Sequence, residues 1–86
     1  MYKLVLSDNF KKEFEKSIKG NTILWKKVTK TLHNLSVNIN HPSLRLHKLE
    51  GKNNWSVSIT RSQRLIFSIE KDMIFCTKFG KHEDVY

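Results

Sequence analysis

Several residue types are scarce in this chain of 86 residues, and each scarcity excludes a class of protein. Cys76 is the only cysteine, so an intramolecular disulfide and a zinc site built on paired cysteines are both excluded. Three glycines and one proline are too few for a disordered or fibrous chain. No apolar run approaches the roughly 20 residues of a membrane span, and "MYKLVLSDNF" has too short an apolar stretch for a signal peptide. We therefore expect a single cytosolic domain, residues 1–86, without membrane attachment.

Acidic residues are also scarce. The chain has eight Asp and Glu but sixteen Lys and Arg, which gives a net charge of +8. No acid occurs between Lys16 and Leu49. That stretch holds seven cations: Lys16, Lys19, Lys26, Lys27, Lys30, Arg45 and Lys48. Repulsion among them favours a polyanion such as nucleic acid, or an acidic protein, as partner. The plainer alternative is a solvated basic surface without a partner.

The first half of the chain predicts a strand followed by a helical hairpin. Alternation in "YKLVL" indicates a strand at 2–6, and Phe10, Phe14 and Ile18 at a spacing of four indicate a helix at 8–18. Either Ser7 or Asp8 is a suitable N-cap for that helix. A second helix is predicted at 22–37, capped by Thr22. Its expected apolar stripe is Trp25, Val28, Leu32 and Leu35.

The second half predicts hairpin strands at 55–60, 64–70 and 73–79, after a loop at 38–43 and a run at 44–49 that is an optional further strand. The run "MIFCTKF" is apolar on both faces, which is typical of an interior strand and favours an inert core thiol at Cys76 over a reactive one. The predicted fold is α+β, β-α-α-β-β-β, with the helical hairpin on one face of a three- to five-stranded, mostly antiparallel sheet. Its opposite face is polar and carries Ser56, Ser58, Thr60 and Arg64.

The side chains able to perform chemistry concentrate near that polar face. The sequence lacks a Gly-rich phosphate loop, a His-Glu-x-x-His helix and a nucleophile elbow. His33, His41 and His47 have no carboxylate or cysteine at metal spacing, so we expect no metal or cofactor. Metal-free RNA cleavage needs a base for the 2′-hydroxyl, cations for the phosphorus and an acid for the leaving 5′-oxygen. Histidine and arginine supply these functions near neutral pH. The candidate set is His47, Lys48, Arg61, Arg64, Lys81, His82 and Tyr86.

The pattern "HKLEG…WSVSITRSQRLIF…FGKHEDVY" resembles the RelE/ParE superfamily of small bacterial toxins from toxin–antitoxin pairs. The resemblance extends over the whole chain. It implies that Arg64 clamps a phosphate and that His82 acts as general acid, or as both acid and base. It also implies that Tyr86 positions the nucleotide, and that His47 corresponds to a histidine used by the YafQ-like branch. Lys48, Arg61, Lys81 and Arg45 are expected to bind substrate phosphates.

The chain also departs from the superfamily pattern. The RelE-like branch places two lysines on the first hairpin strand, where this sequence has Ser56 and Ser58. Their role would pass to His47, Lys48 or Arg61. The aspartate–tryptophan pair of YafQ-like members is replaced by Ser62 and Gln63. The branch of the superfamily is therefore left open by the sequence.

The resemblance implies two functions of different classes. RelE-, HigB-, YoeB- and YafQ-like toxins cleave mRNA in the ribosomal A site, which would bring this chain against mRNA and rRNA. ParE-type toxins instead poison DNA gyrase through protein contacts and lack the catalytic set. Arg64 and His82 together favour the nuclease, and a degenerate member kept only as half of a complex is a third alternative. In each case we expect an acidic antitoxin that folds over the basic surface.

Overall fold

The computed structural model describes residues 1–51 and 53–81 of the chain. Both helices and all the expected strands are present. In chain order the elements are β1 (Lys3–Leu6), α1 (Asp8–Ile18), α2 (Thr22–Val37), a short 3-10 helix (Pro42–Leu44), β2 (His47–Lys48), β3 (Trp55–Ser58), β4 (Gln63–Glu70) and β5 (Met73–Lys81). The predicted bounds of both helices are confirmed.

Side-chain caps fix where the two helices begin. Ser7 caps α1, because its Oγ accepts a hydrogen bond of 3.0 Å from the backbone N–H of Phe10. Gly20, with φ of 72°, reverses the chain after α1. Asn21 then caps α2 by accepting a bond of 3.0 Å from Leu24 N–H. The predicted cap at Thr22 is wrong, since Thr22 already lies inside the helix and Asn21 is the last residue before it.

The buried stripe of α2 contains Val28 and Leu35 as predicted, but Leu24 and Thr31 take the places expected for Trp25 and Leu32. Leu24, Val28, Thr31 and Leu35 are its buried residues. Trp25, expected in the stripe, is 46% exposed. Adjacent helical residues point about 100° apart, so only one of Leu24 and Trp25 can face the sheet. The spacing of Leu24 from Val28, Thr31 and Leu35 fits the buried face better.

The sheet has five strands in the order β1-β5-β4-β3-β2. The predicted fold class is confirmed. All neighbouring pairs are antiparallel except β1 and β5, which run parallel with Lys3 opposite Met73. The predicted interior position of β5 is confirmed, and the run at 44–49 contributes only the end of the 3-10 helix and the two residues of β2. β3 ends two residues early, because Ile59 and Thr60 N–H both bond to the Gln63 carbonyl in a turn.

The core lies between the helices and one face of the sheet. It is formed by Phe10, Leu24, Val28, Leu35, Leu44, Val57, Leu65, Phe67, Ile74, Cys76 and Phe79. Phe79 contacts the rings of Phe10 and Phe14 edge-on, at centroid distances of 5.9 and 6.1 Å. Burial raises the pKa of the Cys76 thiol to about 12, which confirms the interpretation of Cys76 as an inert core residue.

Beyond the end of β1, the N-cap and side chains of α1 form hydrogen bonds with the outer edge of β5. β1 pairs only as far as Cys76. Beyond that point Ser7 Oγ and Asn9 Nδ2 each donate to the Thr77 carbonyl at 3.2 Å. Phe79 N–H donates to Glu13 Oε1, also at 3.2 Å. These side chains satisfy backbone groups that a longer β1 would otherwise pair. No helix of residues 1–51 and 53–81 is long and apolar enough to cross a membrane.

Candidate nucleotide-cleavage site

Arg64 lies near the start of β4 on the face of the sheet that the helices leave uncovered, called here the open face. Its neighbour Leu65 is fully buried on the helix side, so alternation directs Arg64 to the other side. Arg64 is half-buried. Its Nε and Nη2 donate to Ser56 Oγ at 3.3 and 3.1 Å, and Nη2 also donates to the Arg45 carbonyl at 3.3 Å. Both of these acceptors are uncharged groups that fix the direction of the guanidinium.

The acceptors are themselves held by the fold. Ser56 is fully buried in β3, opposite Ile66 of β4 and His47 of β2. Arg45 follows the 3-10 helix in a left-handed conformation, with φ of 48°, and caps it through a bond from its N–H to the Pro42 carbonyl. That conformation is uncommon for a residue other than glycine. In this conformation the Arg45 carbonyl accepts a hydrogen bond from the guanidinium of Arg64.

The structure brings His47, Arg45 and Arg64 together around Ser56. His47 and Ser56 are register partners and therefore share the open face, with Cβ atoms about 5 Å apart in such pairs. His47 is exposed. Arg61 is exposed in the turn between β3 and β4, three residues before Arg64. His47, Ser56, Arg64 and the backbone carbonyl of Arg45 are called here the Arg64 cluster.

Two of the expected phosphate-binding lysines lie elsewhere. Lys48 is the register partner of Trp55, and its Nζ lies 5.4 Å from the centre of the Trp55 ring in a cation–π contact. Lys81 pairs with Gln63. Gln63 precedes Arg64 and therefore points to the opposite, helix-covered side. His82 and Tyr86 lie outside the described residues, so their expected places beside Arg64 stay a prediction.

Lys78 is a cation of the open face that the sequence reading missed. It is exposed and pairs with Ile66, in the same cross-strand row as Ser56 and His47. A shift in register between Ile66 and Phe67 makes Thr77 an extra residue in β5. Strict alternation from Ile74 and Cys76 would have put Lys78 on the helix side. No signal in the sequence marks that bulge.

The cluster has the parts needed to bind and polarise a phosphodiester. A guanidinium with its orientation fixed can donate hydrogen bonds to two phosphate oxygens in a plane. His47 is the only histidine in the described residues that shares a cross-strand row with Ser56. His41 is instead structural, since its Nδ1 accepts a bond from Ser43 N–H at 3.2 Å, and His33 is exposed on α2. In residues 1–51 and 53–81, no three His, Cys, Asp or Glu side chains are grouped as a metal ion requires.

Solved structures match the whole chain, whereas no protein-family model and no curated protein sequence matches it. A chain of the E. coli DinJ–YafQ complex superposes with a TM-score of 0.84 at 16% identity, covering 100% of this chain and 99% of that one. A metal-bound toxin from Helicobacter pylori gives 0.83 at 22% identity, covering 100% of both chains. A YoeB/ParE toxin from Agrobacterium tumefaciens gives 0.82 at 17% identity, covering 93% and 98%.

These likenesses establish the fold. The chain has the fold of YafQ- and YoeB-type toxins, and the architecture implied by the RelE/ParE resemblance is confirmed. The E. coli DinJ–YafQ assembly is a toxin–antitoxin complex, and a YoeB–YefM complex from Staphylococcus aureus also matches.

Proposed function

We propose that this chain is the toxin of a type II toxin–antitoxin pair and cleaves mRNA on the ribosome, in the cytoplasm, by attack of the 2′-hydroxyl without a metal. The observation that carries the proposal is the orientation of Arg64. A buried serine hydroxyl and a backbone carbonyl hold its guanidinium on the open face, beside His47. A strand arginine with only a solubility role does not need a buried hydroxyl as an acceptor.

In the proposed reaction the ribose 2′-oxygen forms a bond to the adjacent phosphorus as the bond to the 5′-oxygen breaks. The products are a 2′,3′-cyclic phosphate and a 5′-hydroxyl. Arg64 stabilises the charge that develops on the phosphoryl oxygens, an effect worth about 10²–10³ in rate. His82 protonates the leaving 5′-oxygen, which contributes about 10²–10⁴. Tyr86 stacks on a base or orients the phosphate.

His47 is the best-placed general base for the 2′-hydroxyl. Of the three substitutes considered for the missing lysines, it alone shares the row of Ser56. Lys48 lies over Trp55 instead, and Arg61 lies in the turn between β3 and β4. Arg45, Arg61 and Lys78 supply phosphate affinity, and Lys81 contributes from the helix-covered side.

The proposed partner is an acidic antitoxin that covers the basic surface. The net charge of +8 makes such a complex favourable and makes the free protein self-repelling. Matching structures of YafQ and YoeB chains were solved with DinJ and YefM, respectively. A short reading frame for an acidic protein beside the reading frame of this chain is the corresponding genomic expectation.

The test is induction of the wild type, Arg64→Ala and His82→Ala from a tightly repressed promoter. Growth, mRNA 5′ ends and plasmid supercoiling are followed together. We expect the wild type to arrest growth and to create new mRNA ends, and each variant to lower cleavage at least 100-fold. Lys12→Ala is the matched control, since Lys12 is an exposed cation of α1 and should leave cleavage unchanged.

Gyrase poisoning of the ParE type is the competing function, because the matching toxin from A. tumefaciens is described as both YoeB and ParE. It predicts DNA breaks and altered supercoiling with intact mRNA. Growth arrest that persists in both Arg64→Ala and His82→Ala would contradict the nuclease proposal. Loss of arrest in Lys12→Ala as well would show that total charge, rather than this site, is responsible.

A further inference from the structure

A second cleft lies between α2, the 3-10 helix and the end of β3. Its volume is about 200 Å³. It is lined by Lys27, Lys30, Thr31, Asn34, Ser43, Ser58 and Ile59. None of these residues is acidic. It is called here the α2 cleft.

The donors that the α2 cleft offers to a ligand come from α2. Three of its hydroxyls already have partners: Thr31 donates to the Lys27 carbonyl, Ser58 to the Thr60 carbonyl, and Ser43 Oγ lies 2.7 Å from His41 Nδ1. Lys27, Lys30 and Asn34 recur at spacings of three and four, so their side chains lie along one side of the helix. Two ammonium groups and one amide therefore point toward the same space.

The chemistry of the α2 cleft fits a phosphate group. Two cations and an amide donor match an anion with several oxygen acceptors. A volume of about 200 Å³ is below the range of about 300–1,000 Å³ that holds a drug-sized ligand, so the cleft suits a phosphate rather than a whole nucleotide. A larger cleft beside α1 has Glu13 in its lining, and that carboxylate disfavours an anion there.

The α2 cleft adjoins the Arg64 cluster through two chain segments. Ser58 lines the cleft and is the register partner of Arg64, so their Cβ atoms are about 5 Å apart. Ser43 lines the cleft, and Arg45, two residues later, gives Arg64 its backbone acceptor. A strand lying across the open face at Arg64 reaches the α2 cleft by passing over the end of β3.

We propose that the α2 cleft binds a backbone phosphate of RNA, and that it extends the RNA-binding surface of the Arg64 cluster around the end of β3 onto α2. The inference relies on the proposed function only for the identity of the polyanion as RNA. Lys27 and Lys30 bind the phosphate by charge, and Asn34 donates to one of its oxygens. Such a contact positions the strand and carries no base specificity.

The test measures binding of a fluorescent 2′-O-methyl RNA oligonucleotide over a series of salt concentrations. This RNA has no 2′-hydroxyl to attack, so binding is measured without cleavage. The test variant is Lys27→Gln with Lys30→Gln. The control is Lys11→Gln with Lys12→Gln, two exposed lysines of α1 that do not line the cleft, which removes the same net charge.

We expect the Lys27/Lys30 variant to bind at least tenfold more weakly than the control. The slope of log K against log salt should fall by about 0.7 for each lost phosphate contact. Asn34→Ala, which leaves the charge unchanged, should weaken binding a few-fold. Equal losses in the cleft and control variants, or an unchanged Asn34→Ala, would overturn the proposal.

A second arm uses vacant ribosomes in place of the oligonucleotide. A loss confined to ribosomes identifies the bound phosphate as ribosomal, and a loss with the oligonucleotide identifies it as that of the message. An unchanged affinity for both would refute the α2 cleft as an RNA site. Binding by a wild type that cleaves no mRNA would leave the inference standing and would count against the proposed nuclease alone.

Discussion

At the scale of single residues, the structure indicates a role for Ser56 that the sequence did not. In the sequence it occupies a position where RelE-like toxins have a lysine, so the sequence alone indicates the loss of a catalytic group there. In the structure it is fully buried, and its hydroxyl accepts two bonds from Arg64. We infer that Ser56 positions Arg64. The position of Arg64 itself on the open face was predicted correctly from the alternation of β4.

Ser56→Ala should therefore impair cleavage more than stability. Losing the hydroxyl removes the acceptor that orients the guanidinium, and we expect the single-turnover rate to fall about 10- to 100-fold. Stability should fall by no more than about 1.5 kcal/mol. The measurements are cleavage at saturating enzyme and urea unfolding of the same samples. Ser68→Ala, at the other end of β4, is the control and should change neither quantity appreciably; a normal rate in Ser56→Ala would refute the positioning role.

At the scale of elements, α1 contacts β5 in two ways. Its N-cap Ser7 and its polar side chains Asn9 and Glu13 bond to the β5 backbone beyond the end of β1. Its aromatic side chains pack on Phe79. The spacing of Phe10 and Phe14 predicted a common buried stripe. The structure distinguishes them, because Phe10 is fully buried and Phe14 is half-buried at the margin of the core.

Truncation of the two rings should reflect that difference. Phe10→Ala should lower the free energy of unfolding by about 3–5 kcal/mol, since it leaves a cavity in the core. Phe14→Ala should cost about 2 kcal/mol, because part of its ring is already in water. Chemical denaturation monitored by circular dichroism measures both. Ile23→Ala, at a residue that is 71% exposed, should change stability by less than about 0.5 kcal/mol; equal losses for Phe10→Ala and Phe14→Ala would contradict the assigned burial.

At the scale of the whole molecule, the end of β5 belongs to both the core and the sheet. Phe79 is a core residue at 1% exposure, and Gly80 and Lys81 pair with Arg64 and Gln63. A deletion that begins at Phe79 would therefore damage the fold. Residues 82–86, which contain His82 and Tyr86, follow the last residue of β5.

A chain shortened to residues 1–81 should fold and fail to cleave. It keeps every core residue and every strand pair of residues 1–51 and 53–81, so the thermal midpoint should move by only a few degrees. It loses the proposed acid, so cleavage should fall at least 100-fold. Thermal melting and mRNA 5′-end mapping test the two halves of the prediction. Full cleavage by the 1–81 chain would show that His82 and Tyr86 do not act in the reaction.

The sequence by itself determined the two helices, the strand order along the chain and the faces of β3 and β4. These features depend on local spacing of apolar residues, which the sequence displays directly. Only the tertiary structure decided the parallel pairing of β1 with β5, the bulge that places Lys78 on the open face, and the approach of Arg45 to Arg64. Those features arise from contacts between residues distant in sequence, so no local pattern encodes them.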